Sequence, residues 1–421
     1  MRFRTSAILF LFCVAALTAQ GETPDVGVFN TRGVKAYERG DYTEAIADFT
    51  HALKLSPGDR TIAKNLANAC RASAASLAKG GDHEAAASTL RQAMAYLPGE
   101  AAIKTDLAIL LINQGAALLE RKDYDRARRA SEDALRLDPG NAAAHCLAGD
   151  IAYALQDLDG ARNHWQAALK ANPGDKVIAG RLEHLKKEHR AERDLSKMEA
   201  YHFDIRFDYQ ALGGELYDVR KFLIEAYEKV GQDFDLFPAY PIVVILYNET
   251  QFRLVNNMPG YVAGLYDGKI RVPINFTRHP LQTLKGVLFH EYTHAVIYDI
   301  AGPSCPVWLN EGMAMREMNG QFPVSIEPLR RALSQNAALS LDELCDVAGT
   351  WRNPSRMGLA YAQAWIMIEY LYSRWSNSDI RALLQGIKRG ATFPALLQKS
   401  MNRTPKEFEE EWIAYAKGRA F

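Results

Sequence analysis

The chain has 421 residues, which at about 150 residues per domain allows two to three domains and excludes a peptide hormone or a small disulfide scaffold. With 48% hydrophobic and 24% charged residues it has the composition of a globular protein, not of a disordered chain. Fifty Lys plus Arg balance fifty Asp plus Glu, and the balance is local: residues 28–173 carry eighteen side chains of each sign, and residues 201–421 carry twenty-three basic and twenty-four acidic. That evenness argues against nucleic acid, whose phosphates recruit Lys and Arg.

The N-terminus reads MRFRTS and then AILFLFCVAALTA, a short basic region before a thirteen-residue apolar run ending near small residues. This is the arrangement of an export signal, expected over residues 1–21 with cleavage after Ala19 or Gly21; a buried N-terminal helix is the alternative. No later segment approaches eighteen continuous apolar residues, so the expectation is an exported protein, periplasmic or extracellular, with no transmembrane segment in the mature chain. Cys70, Cys146, Cys305 and Cys345 would remain. Export permits disulfides, and Cys305 and Cys345 could pair; Cys70 and Cys146 lie in small-residue helical stretches that suit buried thiols.

Aligning Pro57, Pro98, Pro139 and Pro173 exposes a repeating frame. Ala45, Phe49 and Ala52 precede Pro57 at fixed offsets that Ala86, Leu90 and Ala93, then Ala127, Ser131 and Ala134, then Ala161, Trp165 and Ala168 reproduce before the later prolines. Gly33, Ala74, Gly115 and Gly149 share a further small position. GDY, KDY and related turns divide each unit into two helices. The frame resembles the tetratricopeptide repeat, so residues 28–173 are expected to be four helix-turn-helix units of an α-solenoid. The proline spacings of 41, 41 and 34 imply seven extra residues in the middle units, in a helix or a loop. By resemblance, the concave face of such an array binds a protein partner; a purely structural array is the other reading. Residues 174–199 place Val177, Ile178, Leu182 and Leu185 near helical spacing before charge takes over, which predicts a capping helix running into a solvated linker.

Chemistry concentrates in LQTLKGVLFHEYTHAVIYDI, where His290 and His294 lie four residues apart and so project from one helical face. Two imidazoles one turn apart can occupy two corners of a tetrahedral Zn2+ site. Glu291, next to His290, can approach a metal-activated water and act as general base. Seventeen residues past His294, Glu311 in CPVWLNEGMAMRE could complete a His, His, Glu set and leave a position for water.

HEYTHAV followed by PVWLNEGMA resembles a gluzincin zinc metallopeptidase of the peptidase MA-like group, and WLNEG is similar to the zinc aminopeptidases. The resemblance covers residues 200–421 and implies an α+β zincin-like domain with His290, His294 and Glu311 as zinc ligands and Glu291 as general base. It also implies that the strands in YHFDIRFD, PIVVILYN and GLYDGKIRVPIN form a sheet whose edge runs along the cleft, where an extended peptide can add as a strand. The family commonly supplies an oxyanion donor, and Tyr361 matches its Tyr-led helix, with Tyr370 and Tyr372 as alternatives. Many members place an acidic or polar residue four positions after the ligand Glu; here that residue is Met315, so support for the imidazoles is sought from Glu317 or Asp299.

His202 and His279 lack ligand spacing, and the sequons at Asn248, Asn275 and Asn402 matter only in a glycosylating pathway. The sequence thus predicts an exported zinc metallopeptidase, its repeats binding substrate or partner. Two rivals are a catalytically idle repeat adaptor with a metal-binding domain, and a zinc amidase acting on a non-protein substrate.

Overall fold

A computed structural model describes residues 25–256, 263–274 and 280–418. The expected export segment 1–21, Cys13, Asn275 and His279 lie outside the described residues.

Among the described residues, nine helices run through 26–192: α1 (Val26–Glu38), α2 (Tyr42–Leu55), α3 (Arg60–Lys79), α4 (His83–Tyr96), α5 (Ala101–Glu120), α6 (Tyr124–Leu137), α7 (Ala142–Ala154), α8 (Leu158–Ala171) and α9 (Lys176–Glu192). The turn chemistry explains their boundaries. Within units one, two and four an Asp side chain caps the second helix, Asp41 accepting from the Glu44 N–H at 3.0 Å, Asp82 from Ala85 at 3.0 Å and Asp157 from Gly160 at 2.9 Å. The residue before each of these caps has positive φ, as Gly40, Gly81 and Gln156 do. After the PG dipeptides, Asp59, Asn141 and Asp175 cap the next helix in the same way.

Every side chain of the repeating frame is buried. Its small position is small because a neighbour fills the space: a Cβ on Gly33 would lie 2.7 Å from Phe49 Cε1, and one on Gly149 would collide with the Trp165 indole. In unit three the frame carries Ser131 instead of a large residue, and Leu147 closes on Gly115. The seven extra residues of the middle units fall in a helix, not a loop: α3 and α5 have twenty residues each against thirteen in α1 and α7. They extend the N-terminal end, since Ala74 and Gly115 lie fourteen residues from the helix start where Gly33 and Gly149 lie seven. By length and composition α5 could cross a membrane, but its buried residues belong to the packed face of a repeat helix.

The chain separates into two compact units, one comprising residues up to Arg121 with Asp125–Leu147, the other Lys122–Tyr124 with Ala148 onward. The second unit is built on a five-stranded sheet of β1 (Ser196–Ala200), β2 (Phe203–Phe207), β3 (Ile242–Tyr247), β4 (Leu265–Tyr266) and β5 (Ile270–Pro273) in the order β1-β2-β3-β5-β4. β2, β3 and β5 are parallel; β1 and β4 pair antiparallel on the two edges. After β2 come the short turn α10 (Tyr209–Leu212) and the long α11 (Leu216–Phe234), and after β3 comes α12 (Glu249–Asn256). IVVILY in β3 is buried at all six positions because the sheet is covered on both faces. Ile242, Val244 and Leu246 join the main core with α11 and the helix that follows β5, whereas Val243, Ile245 and Tyr247 pack with Ala191 of α9 and with Phe252 and Val255 of α12.

This corrects the expectation for residues 174–199. The helix ends at Glu192, the chain returns as strand β1, and the charged stretch is not a solvated face: Glu188 and Glu192 are buried. Their partner is Arg271 of β5, which no local pattern reveals.

The remaining helices are α13 (Leu281–Ala301), α14 (Val307–Asn319), α15 (Glu327–Ser334), α16 (Leu341–Cys345), α17 (Pro354–Arg374), α18 (Asn377–Lys388), α19 (Phe393–Met401) and α20 (Pro405–Gly418). α13 is apolar nearly all round and lies in the core, ending at Gly302 with φ 73°. Cys70, Cys305 and Cys345 are free thiols, so the possible Cys305–Cys345 bridge is not formed. Burial pushes the Cys70 thiol up to about 11 and Cys305 up to about 12; Cys146 is half-buried.

Candidate metal centre

α13 presents His290 and His294 from one face, one turn apart, and α14 brings Glu311 against them. The His290 and His294 Nε2 atoms are 3.1 Å apart, and Glu311 Oε2 lies 3.3 Å from the first and 3.5 Å from the second. One ligand atom from each residue thus falls within 4.8 Å of the others. α14 reaches this position by close approach to α17: a Cβ on Gly312, next to Glu311, would sit 2.6 Å from the Ala364 carbonyl oxygen.

His294 is oriented by a residue that sequence reasoning missed. Its Nδ1 lies 3.0 Å from Asn310 Oδ1, an acceptor suited to a proton on Nδ1, and the ring is thereby turned with Nε2 toward Glu311 and His290. Asn310 was visible as the polar residue inside WLNEG, immediately before Glu311. Glu317 and Asp299, expected to provide such support, are engaged elsewhere. Glu317 pairs with Asp233 and lies near Arg316, whereas Asp299 meets Lys122 Nζ at 2.9 Å and the Tyr240 hydroxyl at 2.6 Å.

Burial opposes the charged forms of His294, Glu311 and Glu291, and the electrostatics are decided by what faces what. For His294, burial works against the charged form, but Glu311, Glu291 and the Asn310 hydrogen bond outweigh it and raise the group to about 9. Burial would raise Glu311, yet the two imidazoles hold it well below the usual carboxylate range. Glu291 is different: burial raises it, and the imidazoles only partly offset that. It is 5% exposed, its Oε2 has no hydrogen-bond partner among the described residues, and a Cβ on Gly264 would collide with its carboxylate. Gly264 immediately precedes β4, so the edge of the sheet runs beside Glu291.

Tyr361, at the middle of α17, lies half-buried with its ring centroid 6.4 Å from that of His290 and in edge contact with Trp351 at 5.2 Å. Tyr370 instead bonds to Glu411, and Tyr372 sits beneath Arg316 with its hydroxyl 3.8 Å from Met313 Sδ. Of the three tyrosines, Tyr361 is the one the structure places against a ring of the centre.

The fold and site define a helical-repeat protein continued by a mixed α+β domain whose His, His, Glu cluster, buried at His294 and half-buried at His290 and Glu311, could hold a metal ion. Comparison with known families agrees: residues 229–418 match the Peptidase MA superfamily, and residues 26–59 and 118–182 match tetratricopeptide repeat families. The chain therefore carries a Peptidase MA superfamily domain preceded by tetratricopeptide repeats. No curated protein matches it. A solved structure titled MamA RS-1 ArsTM double mutant is 19% identical, covering 38% of this chain and 83% of that one, with a TM-score of 0.24.

Proposed function

We propose that the chain is an exported zinc metallopeptidase. The carrying observation is the convergence of His290, His294 and Glu311 from two helices, with the buried carboxylate of Glu291 alongside. The donor set fits zinc: two imidazole nitrogens and one carboxylate are the ligands of a catalytic site, and Glu311 Oε2 lies 3.3 and 3.5 Å from the two Nε2 atoms. Zinc, when bound, supplies Lewis acidity toward a peptide carbonyl and toward water.

Around it the chain's own residues do the rest. Asn310 keeps His294 in the tautomer that offers Nε2. Glu291 Oε2 takes a proton from the attacking water and returns it to the leaving amine, a role suited to a carboxylate whose pKa burial has raised. Tyr361 is the proposed donor to the developing oxyanion. β4, on the sheet edge beside Glu291, offers its outer backbone groups to an extended peptide. Export rests on the MRFRTS and AILFLFCVAALTA segment, and the repeats supply a surface for a protein substrate or partner.

The test is metal analysis of the full chain together with cleavage of an unbiased peptide library, with and without chelator. Glu291→Gln should keep stoichiometric zinc and lose roughly 10²- to 10⁴-fold in rate. Wild-type turnover by that variant would end the reading. Cleavage confined to cell-wall preparations would replace peptidase by amidase.

A further inference from the structure

Outside the metal centre, a buried charged cluster of the second unit surrounds Arg271 of β5. Its side chain is wholly buried on the sheet face covered by α9. Nε lies 3.1 Å from Asp267 Oδ2 in the β4–β5 turn; Nη1 donates to the Tyr247 hydroxyl of β3 at 2.6 Å and to Glu192 of α9 at 3.3 Å; Nη2 donates to Glu188 of α9 and to the Tyr153 hydroxyl of α7 at 3.2 Å. All three guanidinium nitrogens are used, and they join two helices to two strands and a turn. Lys269, in the same turn, adds a buried ammonium 3.6 Å from the Tyr153 ring centroid.

β4 needs such an anchor. It is two residues long and shares two register pairs with β5, too few for the ladder alone to fix an edge strand. What holds the β4–β5 hairpin is side-chain chemistry: Asp267 and Arg271 toward α7 and α9, and the Tyr266 hydroxyl, which accepts from Lys122 Nζ at 3.3 Å. The hairpin begins at Gly264, against Glu291.

We propose that Arg271 is a positioning residue for the substrate edge, through which Tyr153 of α7 and Glu188 and Glu192 of α9 set the placement of β4 beside the metal centre. The last helices of the repeat region thereby act on peptide binding without touching peptide or metal. This rests on the reading of β4 as the peptide-binding edge.

The test compares Arg271→Gln and the milder Tyr153→Phe with wild type in the full chain. Both variants should keep zinc content, since neither residue is a ligand. With an extended peptide KM should rise roughly 2- to 30-fold for Arg271→Gln, less for Tyr153→Phe, and kcat should hold. A dipeptide substrate too short to pair with β4 should show no change. Amide exchange of Leu265–Arg271 should accelerate in both, a readout that needs no catalysis. If wild type cleaves no peptide, the peptidase reading fails while exchange still judges the anchor. Should Arg271→Gln not fold, Tyr153→Phe carries the test. Unchanged KM in a folded variant, an equal effect on the dipeptide, or unchanged exchange at the hairpin would each overturn the proposal.

Discussion

Two buried polar clusters lie within the second unit, and they are built on opposite plans. Around Arg271 the guanidinium and the neighbouring buried Lys269 ammonium meet Glu188, Glu192, Asp267 and two phenols, so opposite charges are paired from within. Around His290 two imidazoles and the Glu311 carboxylate converge to within 3.1, 3.3 and 3.5 Å of one another, and no Lys or Arg side chain pairs with them among the described residues. The first plan is a complete structural joint. The second is the cluster whose three ligand atoms could hold a metal ion, as the proposed function requires.

The sharpest way to break this contrast is to remove the internal cation. Arg271→Gln leaves Glu188 and Glu192 buried without their guanidinium and should cost about 3–5 kcal/mol in denaturant unfolding. A cost below about 1 kcal/mol would show that the cluster is not the joint described.

A further buried carboxylate tests an intermediate case. Glu317 has burial and the neighbouring Asp233 against it and only Lys229 and Arg316 in its favour, and stands raised to about 7 from an ordinary 4.5. Between those values the folded state holds a proton that the unfolded state has released, so the contribution of Glu317 to stability is greatest below pH 4.5 and is lost as pH rises through 7. The fall should be about 3 kcal/mol. Glu317→Gln should flatten that part of a stability-against-pH curve.

For the cluster proposed to hold zinc, the metal at about 100 times its Kd should stabilise wild type by about 2.7 kcal/mol. Glu311→Ala should abolish the thermal shift and the bound metal. Undiminished zinc stoichiometry would remove Glu311 from the ligand set. Smallest is Asn310→Ala, which should weaken zinc affinity about 10- to 100-fold while leaving the metal-free melting temperature nearly unchanged.

The same contrast explains what was legible beforehand. HEYTH and the distant Glu311 could be read because a ligand set must converge, and helical periodicity tells which side chains share a face. The repeats could be read because a frame recurred four times. Arg271 gave no such signal. Its partners lie 79 and 83 residues away, and a run such as LEHLKKEHRAERDL looks solvated until a buried cation is brought to it. β1 escaped notice for a related reason: SKMEA exposes most of its side chains at a sheet edge and has no apolar alternation to betray it. Asn310 was legible in principle, but attention to Met315 led toward Glu317 and Asp299, both occupied with other partners.

The lengthened helices α3 and α5 carry a consequence of their own. Seven residues turn an α-helix through about 700°, only about 20° short of two revolutions, and add about 10 Å of length. The insertion therefore keeps its rotational phase. Ile62 and Ala63 continue the stripe of Ala69 and Cys70, and Leu66 and Ala67 that of Ala74, so the added turns bury the same side of the helix as the old ones. An insertion of five residues would have swung that stripe by about 140° toward solvent. Length in this array can change only in steps that leave its seam unrotated, and the chain has taken that step twice, in adjacent units.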